Sequence, residues 1–180
     1  PYLLVSQADL AEARRLFPED SIAVLPSTQQ AALHSPSGWP ALWASYRRIA
    51  SIQMPEIDLV HSLEAYPTGL VGSWLAERLK CAHVLTVHGT YGVIWRHHWL
   101  DRRAYRGVLR KAAMICPVSH GTARQMQRYF GAELSPERLK PVLNGNDFAS
   151  RVPAEVARLR AIPEHPVLLS VGDLKPRKGQ

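Results

Sequence analysis

With 180 residues, 46% of them hydrophobic, the chain is long enough to bury a core, and 22 Lys and Arg against 15 Asp and Glu direct its charge of +7 toward anionic partners. Charge alone does not choose among nucleotide phosphates, phospholipid head groups and nucleic acid. No apolar run approaches the roughly 20 residues a spanning helix needs, and two cysteines without C-x-x-C spacing, Cys81 and Cys116, exclude a disulfide scaffold and point to a reducing, cytoplasmic setting.

Short apolar runs recur along the chain: YLLV at 2–5, IAVL at 22–25, IDLV at 57–60, HVLTV at 83–87, MICPV at 114–118, PVL at 141–143 and PVLLSV at 166–171. Alternating with helical patterns, they predict an α/β fold with a doubly wound parallel sheet. The Ser- and Pro-rich 26–40 reads as a surface loop before a helix over 41–53. From Leu70 to Leu79, Leu70, Val71, Trp74, Leu75 and Leu79 share one side of a helix. Asp101 is expected to cap the next, with Ala104, Tyr105, Val108, Leu109 and Ala112 inward and a solvated stripe of Arg103, Arg106 and Arg110 opposite. Ser119 is expected to cap a helix carrying Ala123, Met126 and Phe130 on one face, closed by Gly131 in a left-handed conformation. Pro153, Pro163 and Pro166 then bracket a linker, giving one domain over 1–150 and the start of a second over 151–180. The first residue, Pro1, and the end at a basic loop suggest a fragment.

In parallel sheets ligands bind beyond the carboxyl ends of the strands. The residues there are His61 to Glu64, His88 to Thr90, Ser119 to Thr122 and Asn144 to Asp147. His88 offers an imidazole at a strand end, and Gly89 beside it permits an unusual turn and close backbone approach. A backbone carbonyl could equally satisfy that imidazole. His61 and Glu64 invite an acid-base reading without demonstrated contact, and Ser119 could combine a cap with anion binding. At the end of the chain, Gly172, Lys175, Arg177 and Lys178 have the composition of a phosphate cradle. His97 and His98 lack metal-ligand spacing, so no metal site is expected. There is no G-x-G-x-x-G, P-loop or G-x-S-x-G motif. No aromatic-basic pattern supports nucleic-acid binding.

The runs "PVSHGTARQMQRYFG", "KPVLNGNDF" and "LLSVGDLKPRKG", with "DLVH" at 58–61 and "TVHG" at 86–89, resemble the GT-B glycosyltransferases of the retaining family four. The resemblance covers about 57–180 and implies two Rossmann-like domains, an acceptor mainly on the first and a nucleotide-sugar mainly on the second. It implies transfer of a sugar from a nucleotide-diphosphate donor to an acceptor hydroxyl with retention, without a metal cofactor. Lys178 matches the lysine on the donor diphosphate, and His88 the histidine near the transferring sugar. Asn144, Gly145 and Asp147 match the signature before the linker. Gly172, Arg177, Ser119, Asn144 and Gly145 fall with Lys178 on the donor side, and His61, Glu64 and Gly89 on the acceptor side. Asp173 replaces the usual arginine and Leu63 a frequent histidine, which leaves a non-catalytic binding module of the same fold as the alternative. The family's first strand precedes the region matching YLLV, so the fragment is expected to be incomplete at both ends, poorly stable and inactive alone. Trp95 and Trp99 beside Arg102, Arg103 and Arg106 suggest peripheral contact with an anionic membrane and a lipid-linked, sugar or small-molecule acceptor.

Overall fold

The structure is a computed structural model that describes residues 2–26, 32–93 and 98–145. Backbone contacts divide the chain into two units, 1–144 and 145–180. The cradle residues Gly172, Lys175, Arg177 and Lys178, with Asp147, Asp173, Trp95, His97, the linker and the strand expected over 166–171, lie outside the described residues.

In the first unit, β1 (Leu3–Ser6) and β2 (Ile22–Leu25) pair in parallel, connected through α1 (Leu10–Leu16). After α2 (Trp39–Ser51) come β3 (Leu59–Ser62), α3 (Thr68–Leu79), β4 (Ala82–Val87), α4 (Trp99–Lys111), β5 (Met114–Pro117) and α5 (His120–Phe130). These last three strands form a parallel sheet in the order β3-β4-β5, with Ser62 opposite Leu85 and Val87 opposite Pro117. Parallel sheets flanked by helices make this the expected α/β, Rossmann-like fold. Among the described residues β1 pairs only with β2 and β3 only with β4, and a cavity of about 1040 Å³ is lined by residues of β1, β3 and α3.

One face of the larger sheet, carrying Val60, Ser62, His83, Leu85, Val87 and Ile115, is buried. Leu85, Val87 and Ile115 pack with Tyr105, Val108 and Leu109 of α4 and with Met126 and Phe130 of α5. A second cluster joins Leu42 and Ile49 of α2 to Val60 and to Val71, Leu75 and Ala76 of α3. The side of α3 nearest the sheet is made of small residues: a Cβ on Gly72 would overlap Ser62 Oγ, and one on Gly69 would stand 2.7 Å from Leu85 Cδ1. The helix closes with Lys80 in the left-handed region at φ 55°, where Cys81 N–H reaches back to the Ala76 carbonyl at 3.1 Å.

Several local expectations are corrected. The 57–60 strand is displaced to Leu59–Ser62, which places His61 inside it. Gly131 is right-handed, at φ −55° and ψ −30°, because α5 tightens into a 3-10 turn, Gly131–Glu133, instead of reversing. Asp101 caps nothing: α4 begins at Trp99, so Asp101 falls in its first turn with its side chain buried. The 141–143 run is not a strand, but its chain runs parallel to β5, with Lys140 N–H donating to the Ile115 carbonyl at 2.8 Å and Val142 N–H to Pro117 at 2.9 Å.

Candidate functional site

Register decides which loop residues can meet. Ser62 stands opposite Leu85, so two residues further along each chain Glu64 reaches the level of Val87, immediately before His88. Val87 stands opposite Pro117, two residues before Ser119, and Val142 is bonded to Pro117, two residues before Asn144. Glu64, His88, Ser119 and Asn144 therefore follow parallel segments that end on one edge of the sheet.

At that edge, His88 is half-buried and its carbonyl accepts from Gly92 N–H at 3.0 Å, opening the 3-10 turn Gly89–Gly92. Gly89 does not supply the unusual backbone expected of it. Its φ is not in the left-handed region, and a Cβ there would touch nothing among the described residues, which leaves room beside His88. The glycine the turn requires is Gly92, where a Cβ would overlap Val87 Cγ1. Glu64 is half-buried; burial raises its pKa and the nearby imidazole of His88 draws it back down. That interaction brings together two of the sequence candidates.

Ser119 caps α5 as expected, its Oγ accepting from Thr122 N–H at 3.0 Å. The start of α5 thus faces the edge that carries His88, with the positive end of the helix dipole toward it. Asn144 and Gly145 are exposed among the described residues. His61 is not drawn into this group: its ring projects from the exposed face of β3 and its Nε2 lies 2.8 Å from Thr86 Oγ1 of β4. The displaced strand explains this, because side chains alternate across a sheet and His61 falls opposite in sense to Ser62.

Two polar side chains that the sequence did not mark as buried are so in the first unit, His83 near the start of β4 and Asp101 in the first turn of α4. His83 Nε2 lies 2.9 Å from Ser62 Oγ, and burial first, then the neighbouring His61, lowers its pKa to about 4, so the ring is neutral. Asp101 accepts from Leu33 N–H at 2.7 Å, His34 N–H at 3.1 Å and Tyr66 O–H at 2.6 Å, and its Oδ2 is 2.6 Å from His34 Nδ1. Burial alone would raise this carboxyl's pKa; the hydrogen bonds from Tyr66, His34 and Leu33 more than offset that and hold it low. Burial, and then the carboxylate, pushes the Tyr66 hydroxyl well above its ordinary range. The hub ties the 32–35 loop to the segment leading into α3, while the His34 ring stacks on His98 with centroids 3.8 Å apart. A signal did exist: Asp101 lies four residues before Tyr105, on the inward stripe of its helix.

The profile described as Glycosyltransferase Family 4 matches residues 4–149 of this chain. A stretch of 75 residues is 32% identical to an uncharacterized glycosyltransferase of Methanocaldococcus jannaschii, covering 42% of this chain and 21% of that relative. The alignment thus spans about a fifth of the relative's length.

Proposed function

Since the chain belongs to glycosyltransferase family 4, we propose that it is the acceptor-side part of an enzyme that moves a sugar from a nucleotide-diphosphate donor to an acceptor hydroxyl, with retention of configuration. The observation that carries this reading is the common edge of Glu64, His88, Ser119 and Asn144, with open space beside Gly89 for a ligand to enter.

His88 would contact the transferring sugar, as a hydrogen-bond partner for its hydroxyls and a dipole for the charge that develops as the bond to the diphosphate breaks. Glu64, whose burial favours the protonated form, would hold the acceptor hydroxyl. The departing diphosphate gains charge, and the Ser119-capped start of α5 would favour it from this side. The resemblance implies that Lys178 and Arg177 supply positive charge to the diphosphate, in the role a metal serves elsewhere.

The test is a radiolabelled nucleotide-sugar transfer assay on the full-length protein carrying His88→Ala. Transfer should fall by at least two orders of magnitude, as expected for loss of one preorganised electrostatic contact, while donor binding by calorimetry is retained. Unchanged turnover would reject the role of His88. Absence of transfer in the unsubstituted full-length protein, across nucleotide-sugars, would reject the enzymatic reading.

A further inference from the structure

We propose that the outer face of α4 is a docking surface for an anionic lipid membrane. Trp99, Arg102, Arg103, Arg106 and Arg110 line a shallow cavity of about 290 Å³. Their spacing of three, four, seven and eleven residues from Trp99 keeps them on one side of the helix, a stripe roughly 16 Å long at 1.5 Å per residue. The opposite side is the anchored one, since Asp101, Tyr105, Val108 and Leu109 are buried. The stripe is therefore held rigidly outward.

Its charge is only partly answered from within. Glu133, in the 3-10 turn after α5, places Oε1 3.3 Å from Arg106 Nε and 3.7 Å from Arg110, so one carboxylate serves two guanidinium groups. Arg102 and Arg103 are exposed. A further arginine stiffens the far end: Arg138 donates to the carbonyls of Leu109, Arg110 and Ala112 at 3.1, 3.0 and 2.8 Å, closing the C-terminus of α4. Among the described residues these four cations share one carboxylate, so the stripe keeps a net positive charge that favours an external anion.

The geometry selects an extended anionic surface over one small anion. The arginines are spread along about 12 Å of helix from Arg102 to Arg110, at 1.5 Å per residue, and Arg106 and Arg110 meet at a carboxylate that already occupies the place of a small anion. Only the first turn of a helix offers free backbone N–H groups to cradle a phosphate, and Arg106 and Arg110 lie beyond it. Trp99, 67% exposed at the start of the stripe, is costly in water yet suited to the head-group region, where an indole buries its rings and keeps its N–H wet. Arginines flanked by an exposed tryptophan fit a peripheral membrane contact. The surface is independent of the sugar-transfer reading, because binding needs no donor.

Flotation of the full chain with phosphatidylcholine vesicles, with and without phosphatidylglycerol, tests the proposal. Binding is expected only to the anionic vesicles, weakening as salt is raised. The Arg102→Ala/Arg103→Ala pair should lower partitioning about 25-fold, at roughly fivefold per arginine near an anionic surface. Trp99→Ala should weaken it further, and Arg102→Lys/Arg103→Lys should restore most of it. Circular dichroism of each variant establishes folding, which these exposed positions should leave intact. Equal binding to neutral vesicles, no binding to either, or full binding by the double alanine variant would overturn the proposal. So would displacement from vesicles by millimolar inorganic phosphate, which would mark a discrete anion site in place of a membrane face.

Discussion

Lowering the pH from 7 to 5 should destabilise the protein through one side chain. His83 is 3% exposed, and its pKa of about 4 compares with a usual value of 6.5. Below pH 6.5 the unfolded chain takes up a proton that the folded chain refuses until about pH 4, so the contribution is complete above 6.5 and is lost as pH falls through that window. The limiting slope is about 1.4 kcal/mol per pH unit, so roughly 2 kcal/mol is lost by pH 5 and roughly 3 kcal/mol over the whole window down to about pH 4, a large share of an ordinary domain's stability. Glu64 acts in the opposite sense, since its raised pKa favours the folded state at lower pH. Urea unfolding followed by circular dichroism at pH 7, 6 and 5 measures the slope in the unsubstituted protein, in His83→Gln and in Glu64→Gln. The His83→Gln plot should be flatter and the Glu64→Gln plot steeper. If His83→Gln keeps the full pH slope, the neutral buried imidazole is the wrong explanation.

Three further substitutions test the packing. Gly72→Ala introduces a methyl that overlaps Ser62 Oγ and approaches His83 Nε2 to 3.0 Å; about 1–3 kcal/mol should be lost in chemical denaturation, partly recovered when Ser62→Ala is added. Lys80→Gly should stabilise by about 1 kcal/mol, because Lys80 holds a left-handed backbone at φ 55° that glycine adopts without a Cβ penalty; a lower melting temperature would contradict this. Asp101→Asn leaves a donor facing donors at Tyr66 and Leu33 and should cost about 1–3 kcal/mol, with faster hydrogen exchange at the amides of Leu33 and His34.

Much of the architecture was legible in the sequence because it rests on local chemistry. Apolar β-rich runs alternating with helical patterns announced parallel strands. Ser119 and the inward faces of α4 and α5 were also readable, since caps and helical periodicity involve residues only a few positions apart. The grouping of Glu64, His88, Ser119 and Asn144 on one edge was legible in outline for the same reason: the loops follow strands, and the strands could be found.

Contacts over long separations were decided by the tertiary structure. Strand β3 is displaced from the apolar run, so His61 is turned to the outer face while Ser62 joins His83, a residue 21 positions away. Gly131 had the right identity for a left-handed close, but the chain continues into the turn that brings Glu133 to Arg106. Asp101 read as a cap because aspartate favours helix starts; only packing against Tyr66 and the 32–35 loop, 35 and 67 residues away, supplies the donors that let a carboxylate be buried. Periodicity reports which side of an element is covered, but hydrogen-bond partners distant in sequence are set by how the elements stack, and the free energy of a buried polar group depends on those partners.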